Sequence, residues 1–229
     1  MENPHLNPCR RMKRVEMAYG LFLPLFFVIC LMATSCHRGG RAAEYVLPNS
    51  VQLQTGDLVF RRGESRESRA VTTFDRKSDY THVGMVMNVD GHWMVLHAVP
   101  NERATKQEND SVKLEPIGVF FRNDRAVMGG IYRYSLTPDD TLRLLQKGLQ
   151  LYGRHPLFDG QFDLEDTVSL YCTELVWLLY QQTLHVDLSE GRRHHIPFFP
   201  DLIFCSDILQ NLRLEEVFFF PEKNVPLQF

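Results

Sequence analysis

The chain has 229 residues, 44% of them hydrophobic and 23% charged, the balance of one ordinary folded domain with a real core. Its net charge of −3 argues against a nucleic-acid partner, which calls for a basic domain with clustered Lys and Arg. No internal repeat or low-complexity segment stands out.

The N-terminus differs from the rest. Arg10, Arg11, Lys13 and Arg14 precede an apolar run from Met17 to Met32, which Gly20 and Pro24 interrupt. The run is short for a bilayer core of ~30 Å. Small residues (Ala33, Thr34, Ser35) then lead into Cys36. Basic residues, a short apolar stretch and small residues make a secretory signal, and its end resembles a bacterial lipobox. Residues 1–35 are therefore expected to be a signal peptide, with Cys36 the lipidated N-terminus of the mature protein. An uncleaved anchor is the alternative. Both readings place the chain outside the cytoplasm, on a membrane of a bacterial cell envelope. Of the five cysteines, only Cys172 and Cys205 follow Cys36. That is too few for a disulfide scaffold and leaves either one bridge or a reactive thiol.

Residues 36–52 carry Gly, Pro and no apolar period, and read as a mobile tether. The domain is expected over 53–229. Gly56-Asp57-Leu58-Val59-Phe60 reads as a turn entering a buried strand. Ala70, Val71 and Phe74 give one weak helical face. The strongest local signal is a hairpin. Thr81 to Val89 alternates, Asp90-Gly91 suits a type I′ turn, and Trp93 to Ala98 returns. Further strands are expected within 112–121 and 126–134. Thr137-Pro138-Asp139-Asp140 starts a helix with Leu142, Leu145, Leu149 and Tyr152 at helical spacing, and Gly153 stops it. A buried helix is expected from about Leu170 to Gln182. A short helix follows, capped by Ser206, and then an aromatic patch at Val217–Pro221. Strands followed by helices indicate a single α+β domain.

Cys172 falls in the first turn of the buried helix, where the helix dipole favours a thiolate. A lone Cys in such a helix would as readily be an inert core residue. His82 and His97 lie on the two hairpin strands. Counted from the Asp90-Gly91 turn, they are offset by two residues, which puts both rings on one face within diagonal reach. One His to take a thiol proton and a second polar group to hold its ring is the arrangement of a cysteine hydrolase.

Gly56-Asp57-Leu58-Val59-Phe60, Thr81-His82-Val83-Gly84-Met85-Val86 and Tyr171-Cys172-Thr173-Glu174-Leu175-Val176 together resemble the motif set of the circularly permuted NlpC-type papain-like hydrolases, in particular the YiiX/YebB-like group. The resemblance spans residues 53–210. The His strand precedes the Cys helix, the reverse of the unpermuted order. It implies a papain-like α+β fold, with a small antiparallel sheet packed against the buried helix that carries the nucleophile. It further implies Cys172 as nucleophile, His82 as general base and His97 as the orienting residue, with no metal and no cofactor. His97 stands where close relatives often have Glu, and Thr173 where Ser is commoner. Glu174 matches a family residue whose role the sequence does not define.

The remaining polar residues carry less. His194-His195 lack ligand partners at zinc spacing, His92 adjoins the turn, and Asp163 either lines the cleft or caps a turn. The expected reaction is acyl transfer through a Cys thioester, on an amide or ester bond of an envelope, lipid or acyl-linked substrate. A cell-wall peptide endopeptidase is one rival. The other is a non-catalytic envelope lipoprotein that binds lipid or peptide. Phe158, Phe162, Phe198, Phe199, Phe204 and Phe218 to Phe220 are candidate walls of an acyl pocket, or simply core.

Overall fold

The computed structural model describes residues 42–102, 110–166, 168–196 and 200–221. The signal segment, Cys36, Phe198 and Phe199 lie outside them. In chain order the elements are β1 (Leu58–Arg62), α1 (Arg66–Phe74), β2 (His82–Val89), β3 (His92–Ala98), β4 (Val112–Pro116), α2 (Ile117–Phe120), β5 (Met128–Tyr134), α3 (Pro138–Tyr152), β6 (Leu157–Phe158), β7 (Ser169–Leu170), α4 (Cys172–Leu184), α5 (Cys205–Leu209) and β8 (Leu214–Phe220). Six strands form one sheet in the order β4-β3-β2-β1-β5-β8. Every pair in it is antiparallel.

The β2–β3 hairpin forms as its sequence dictates. Asp90 (φ 51°) and Gly91 (φ 82°) are both left-handed, as a type I′ turn requires. The register runs from Val89 opposite His92 to Met85 opposite Leu96. Alternation along the strands gives the sheet two apolar faces. Leu58, Phe60, Val83, Met85, Met87 and Leu96 pack with Leu175, Val176, Leu179 and Tyr180 of α4 and Leu144 of α3. Val59, Val86, Val95 and Ile131 point the other way, to Phe120, Phe121 and Phe220.

Helix α3 begins where the sequence puts it. Thr137 Oγ1 accepts the Asp140 N–H at 3.2 Å, and Asp140 Oδ2 accepts the Thr137 N–H at 3.3 Å, a complete capping box. Its buried stripe is Leu144, Gly148 and Leu151, whereas Leu142 and Leu149 are exposed. The expected apolar face is thus rotated. Gly148 is the reason: a Cβ there would lie 3.0 Å from the Met87 sulfur, so the helix rests on the sheet at that glycine.

Three other expectations change. Residues 42–52 are not a free tether. Tyr45 stacks on Phe220 with centroids 4.5 Å apart, its N–H donates to Gly118 O at 3.0 Å, and Leu47, Val51 and Leu53 pack beneath the sheet. The stretch after Pro116 is not strand but the short helix α2, which turns Phe120 inward. The aromatic patch near the C-terminus is an edge strand, β8, and Phe220 stacks against Tyr45 and Phe121 on the face away from α4. Phe218 shares that face, and Phe219 is exposed. The cap expected of Ser206 belongs to Asp207, whose Oδ2 accepts the Phe204 N–H at 2.8 Å.

Candidate active site

His82 opens β2 and His97 lies near the end of β3. Both are buried, and their rings face each other, with His82 Nε2 2.8 Å from His97 Nδ1. The even offset about the turn has placed them on one face, that of Val86 and Val95. Continuing the β2–β3 register puts Gly84 across from His97. A Cβ on Gly84 would lie 2.5 Å from Val95 Cγ1 and 3.0 Å from His97 Cβ, so glycine is what lets the second ring sit here.

The two rings head a longer chain of polar groups. His97 Nε2 is 3.1 Å from Glu115 Oε1, on the neighbouring strand β4. Arg125 Nη1 donates to both Glu115 oxygens, at 2.8 and 2.9 Å, and approaches Glu102 Oε2 at 3.2 Å. Glu102 also pairs with Arg61. Arg61 Nη1 donates to the Phe120 carbonyl at 2.7 Å, and its guanidinium lies 4.6 Å over the Phe120 ring. That ring stacks on His82 (5.6 Å) and meets His97 edge-on (5.2 Å). Two cations and two anions thus neutralise one another in a largely dry site, as buried charges must.

The electrostatics follow. Burial, with Arg61 and Lys113 close by, holds the His82 pKa well below the ordinary imidazole range. Burial also lowers His97, against the opposing pull of Glu115. Glu115 is pulled down to about 2: burial would raise it, but His97 and Arg125 outweigh that.

Cys172 is the first residue of α4 and half-buried. It packs with the core on the α4 side of the sheet. The backbone N–H groups of Val83, of Thr173 and of Cys172 itself favour its thiolate. Val83 immediately follows His82, and the β2–β3 ladder has already ended at Met85 and Leu96. The sulfur therefore meets the sheet where the two strands part, with the rings on the other face. Among the described residues no hydrogen bond joins Cys172 to either ring. The low thiol pKa expected from the helix dipole is not found. Burial pushes the thiol up, and the N–H donors and Arg61 offset it only in part. Both members of the pair are neutral at rest.

Cys205 is buried and, like Cys172, a free thiol, so the possible bridge between them is not formed. Burial, Cys172 and Asp75 push its pKa further up. Glu174 is 1% exposed. Its Oε2 accepts the Tyr171 N–H at 3.2 Å, while Oε1 is buried without a partner. Burial, with Asp159, Asp166 and Asp163 facing it, raises its pKa to about 8. Asp163 caps a turn by accepting the Glu165 N–H at 3.0 Å. His92 is exposed. His194 Nε2 bonds Asp207 Oδ1 at 2.8 Å, a pair that anchors the loop to α5.

The sequence reading found His82, His97 and Cys172 but missed Glu115, Arg125, Glu102, Arg61 and Phe120. Arg61 had a usable signal: it follows the strand motif and pairs with His82 in the β1–β2 register. Glu115 had none, because the segment joining β3 to β4 carries no turn pair from which a register could be counted.

A six-stranded antiparallel sheet, a helix-borne Cys behind it and a His pair ahead of that Cys in sequence define a permuted papain-like protein. The chain belongs to the family described as permuted papain-like amidase enzymes, YaeF/YiiX, C92 family, whose model matches residues 52–196. It is 27% identical over 149 residues to an Escherichia coli K12 protein described as uncharacterized protein YiiX, a match covering 62% of this chain and 64% of that relative. The matched region thus spans less than two thirds of the relative's length. A solved structure described as metalloprotein yiiX from Escherichia coli O157:H7 shares the fold, with a TM-score of 0.60 and 21% identity over 72% of this chain and 97% of that one. In the present chain no three His, Cys, Asp or Glu side chains among the described residues are grouped to hold a metal ion.

Proposed function

We propose that the protein is a cysteine hydrolase that cleaves an amide or ester bond through a thioester on Cys172, with His82 as general base. The observation that carries this is the seat of the Cys172 sulfur. It lies at the N-terminus of α4, against the N–H of the residue after His82. His82 in turn ends a hydrogen-bonded chain through His97 to Glu115. In the reaction His82 takes the thiol proton and the sulfur attacks the substrate carbonyl carbon. The C–N or C–O bond breaks, and His82 returns the proton to the leaving amine or alkoxide. Water, deprotonated by the same ring, then opens the thioester to a carboxylate and the free thiol. The free N–H groups of Cys172 and Thr173, in the first turn of α4, are the donors that would receive the developing oxyanion.

Because thiol and imidazole are both neutral and not hydrogen-bonded at rest, catalysis requires His82 to swing towards the sulfur when substrate arrives. Apo geometries of this kind commonly tighten only in the complex. The substrate class follows from the N-terminal sequence: a basic cluster, an apolar run and Cys36 support an exported lipoprotein acting on an envelope, lipid or acyl-linked substrate at a bacterial membrane. On this reading the link to the bilayer is the lipid on Cys36; among the described residues, which do not include the apolar run at 17–32, no helix is long and apolar enough to cross a membrane. Two experiments test the proposal. Mass analysis of protein extracted from native membranes should show a lipid-modified Cys36 as the first residue. A panel of acyl amides, acyl esters and cell-wall peptides should be cleaved by the full-length chain and not by Cys172→Ala. Equal turnover by both would remove the enzymatic reading and leave the binding lipoprotein.

A further inference from the structure

Two neutral imidazoles joined by one hydrogen bond can point their protons in either direction. In one direction His82 carries its proton on Nε2 and shows a bare Nδ1. In the other it carries the proton on Nδ1 and is useless as a base on that side. The ring pair itself does not choose. We infer that Glu115, clamped by Arg125, is the positioning residue that makes this choice, and that it leaves His82 Nδ1 unprotonated to serve Cys172.

The argument is a chain of donors and acceptors. Arg125 Nη1 donates to both Glu115 oxygens, at 2.8 and 2.9 Å. A carboxylate so held only accepts. His97 Nε2, 3.1 Å from Glu115 Oε1, must therefore carry the hydrogen. A neutral imidazole has one N–H, so His97 Nδ1 is a lone pair. It lies 2.8 Å from His82 Nε2, which must then be the N–H donor. Neutrality of His82 leaves Nδ1 as the acceptor. At His82, burial and the charges facing it favour the neutral ring: Arg61 from β1, Lys113 from β4 and Arg125 all disfavour an imidazolium there. Glu115 and Glu102 are the opposing anions near His97, and Arg61 opposes them. Phe120, in contact with both rings, fills the space from which water could supply a competing donor.

The inference rests on the hydrolase reading for its purpose but not for its test. The test is ¹⁵N NMR of the full-length chain carrying labelled histidine, at neutral pH. His82 and His97 are each expected as the Nε2–H tautomer. Finding Nδ1–H on His82 in the unmodified protein would overturn the inference at once. The variant is the pair Glu115→Leu with Arg125→Met, which removes both charges together, because breaking a buried pair on one side leaves a bare ion. In it His82 should show a mixture of tautomers. Its Cys172 should also alkylate more slowly at neutral pH, by a few-fold, in proportion to the His82 Nε2–H fraction lost, yet at the original rate once pH alone makes the thiolate. Glu115→Asp, which keeps an accept-only group, should restore the Nε2–H tautomer. An unchanged tautomer in the double variant would show that Glu115 only supports the fold. Should His82→Ala leave alkylation untouched, the hydrolase reading would fall while the tautomer result stood.

Discussion

Two buried carboxylates show how differently the two sides of this sheet treat charge. Glu115, on the His side, receives two hydrogen bonds from Arg125 and one from His97, and its pKa falls to about 2. Glu174, on the Cys helix, has one backbone donor, an unpartnered Oε1 and three aspartates facing it, and its pKa rises to about 8. Burial raises both; the partner decides the outcome. The His side is a charge-balanced, hydrogen-bonded network that orients its ring protons. The Cys side keeps its acids protonated: the thiol, Glu174 and Cys205 all bind their protons more tightly than usual. A base whose free nitrogen is assured thus stands near a nucleophile that does not ionise unaided.

The largest effect should come from breaking the Cys side at its nucleophile. Cys172→Ala should lower turnover of any cleaved amide or ester by at least about a thousandfold, with an unchanged urea midpoint. Comparable activity in the variant would mean that the two sides do not work together at all.

Next comes the clamp. Arg125→Ala leaves Glu115 charged, half-buried and without its cation, and should cost roughly 1–3 kcal/mol of unfolding free energy at pH 7. Urea denaturation measures it. The folded pKa of Glu115 lies below its usual value of 4.5. Its stabilisation is therefore full above about 4.5 and lost as pH falls towards about 2. The cost of Arg125→Ala should shrink over that same window, and a pH-independent cost would show that packing, not charge, was lost.

Glu174 should behave in the opposite sense. Its folded pKa is about 8 against a usual 4.5, so the folded state holds the extra proton between those values. The stability it contributes is complete below about 4.5 and disappears as pH rises through about 8. Glu174→Gln keeps a hydrogen-bonding side chain without the charge. It should gain roughly 1–3 kcal/mol over the parent at pH 9 and little at pH 5. Parallel curves for the two proteins would mean that Glu174 is already ionised and solvated at neutral pH.

The smallest effect belongs to neither side. Thr137→Ala removes the α3 capping box and should cost about 1 kcal/mol in thermal unfolding, with turnover and Cys172 alkylation unchanged. A loss of activity there would show that the position of α3 on the sheet tunes the site.

What was legible in the sequence depended on whether geometry was local. Asp90-Gly91 fixed the β2–β3 register, so the His82–His97 pair could be counted out from the turn. Thr137 to Asp140 wrote the start of α3 in full. The face that α3 buries was not legible, because Gly148 allows a close approach to Met87 that Leu spacing does not reveal. Glu115 reaches His97 only through the β3–β4 ladder, and Arg125 only through the turn after α2. Both depend on connections without a countable turn. The thiol pKa was misjudged for a related reason: the helix dipole is written in the sequence, whereas the burial that overrides it comes from strand β2, distant in sequence, packing against the helix. Residues 42–52 look like linker by composition, yet Tyr45 finds Phe220, a partner far along the chain.

The claim on which this account turns is that His82 serves Cys172 as a base. The direct measurement is the rate of Cys172 alkylation against pH in the full-length chain with Cys205→Ala, with and without His82→Ala. The account predicts that at neutral pH the protein retaining His82 reacts about a hundredfold faster. The two profiles should converge only well above the ordinary thiol range, because burial raises the pKa at which the thiolate forms without help. Profiles that superimpose over the whole range would contradict it.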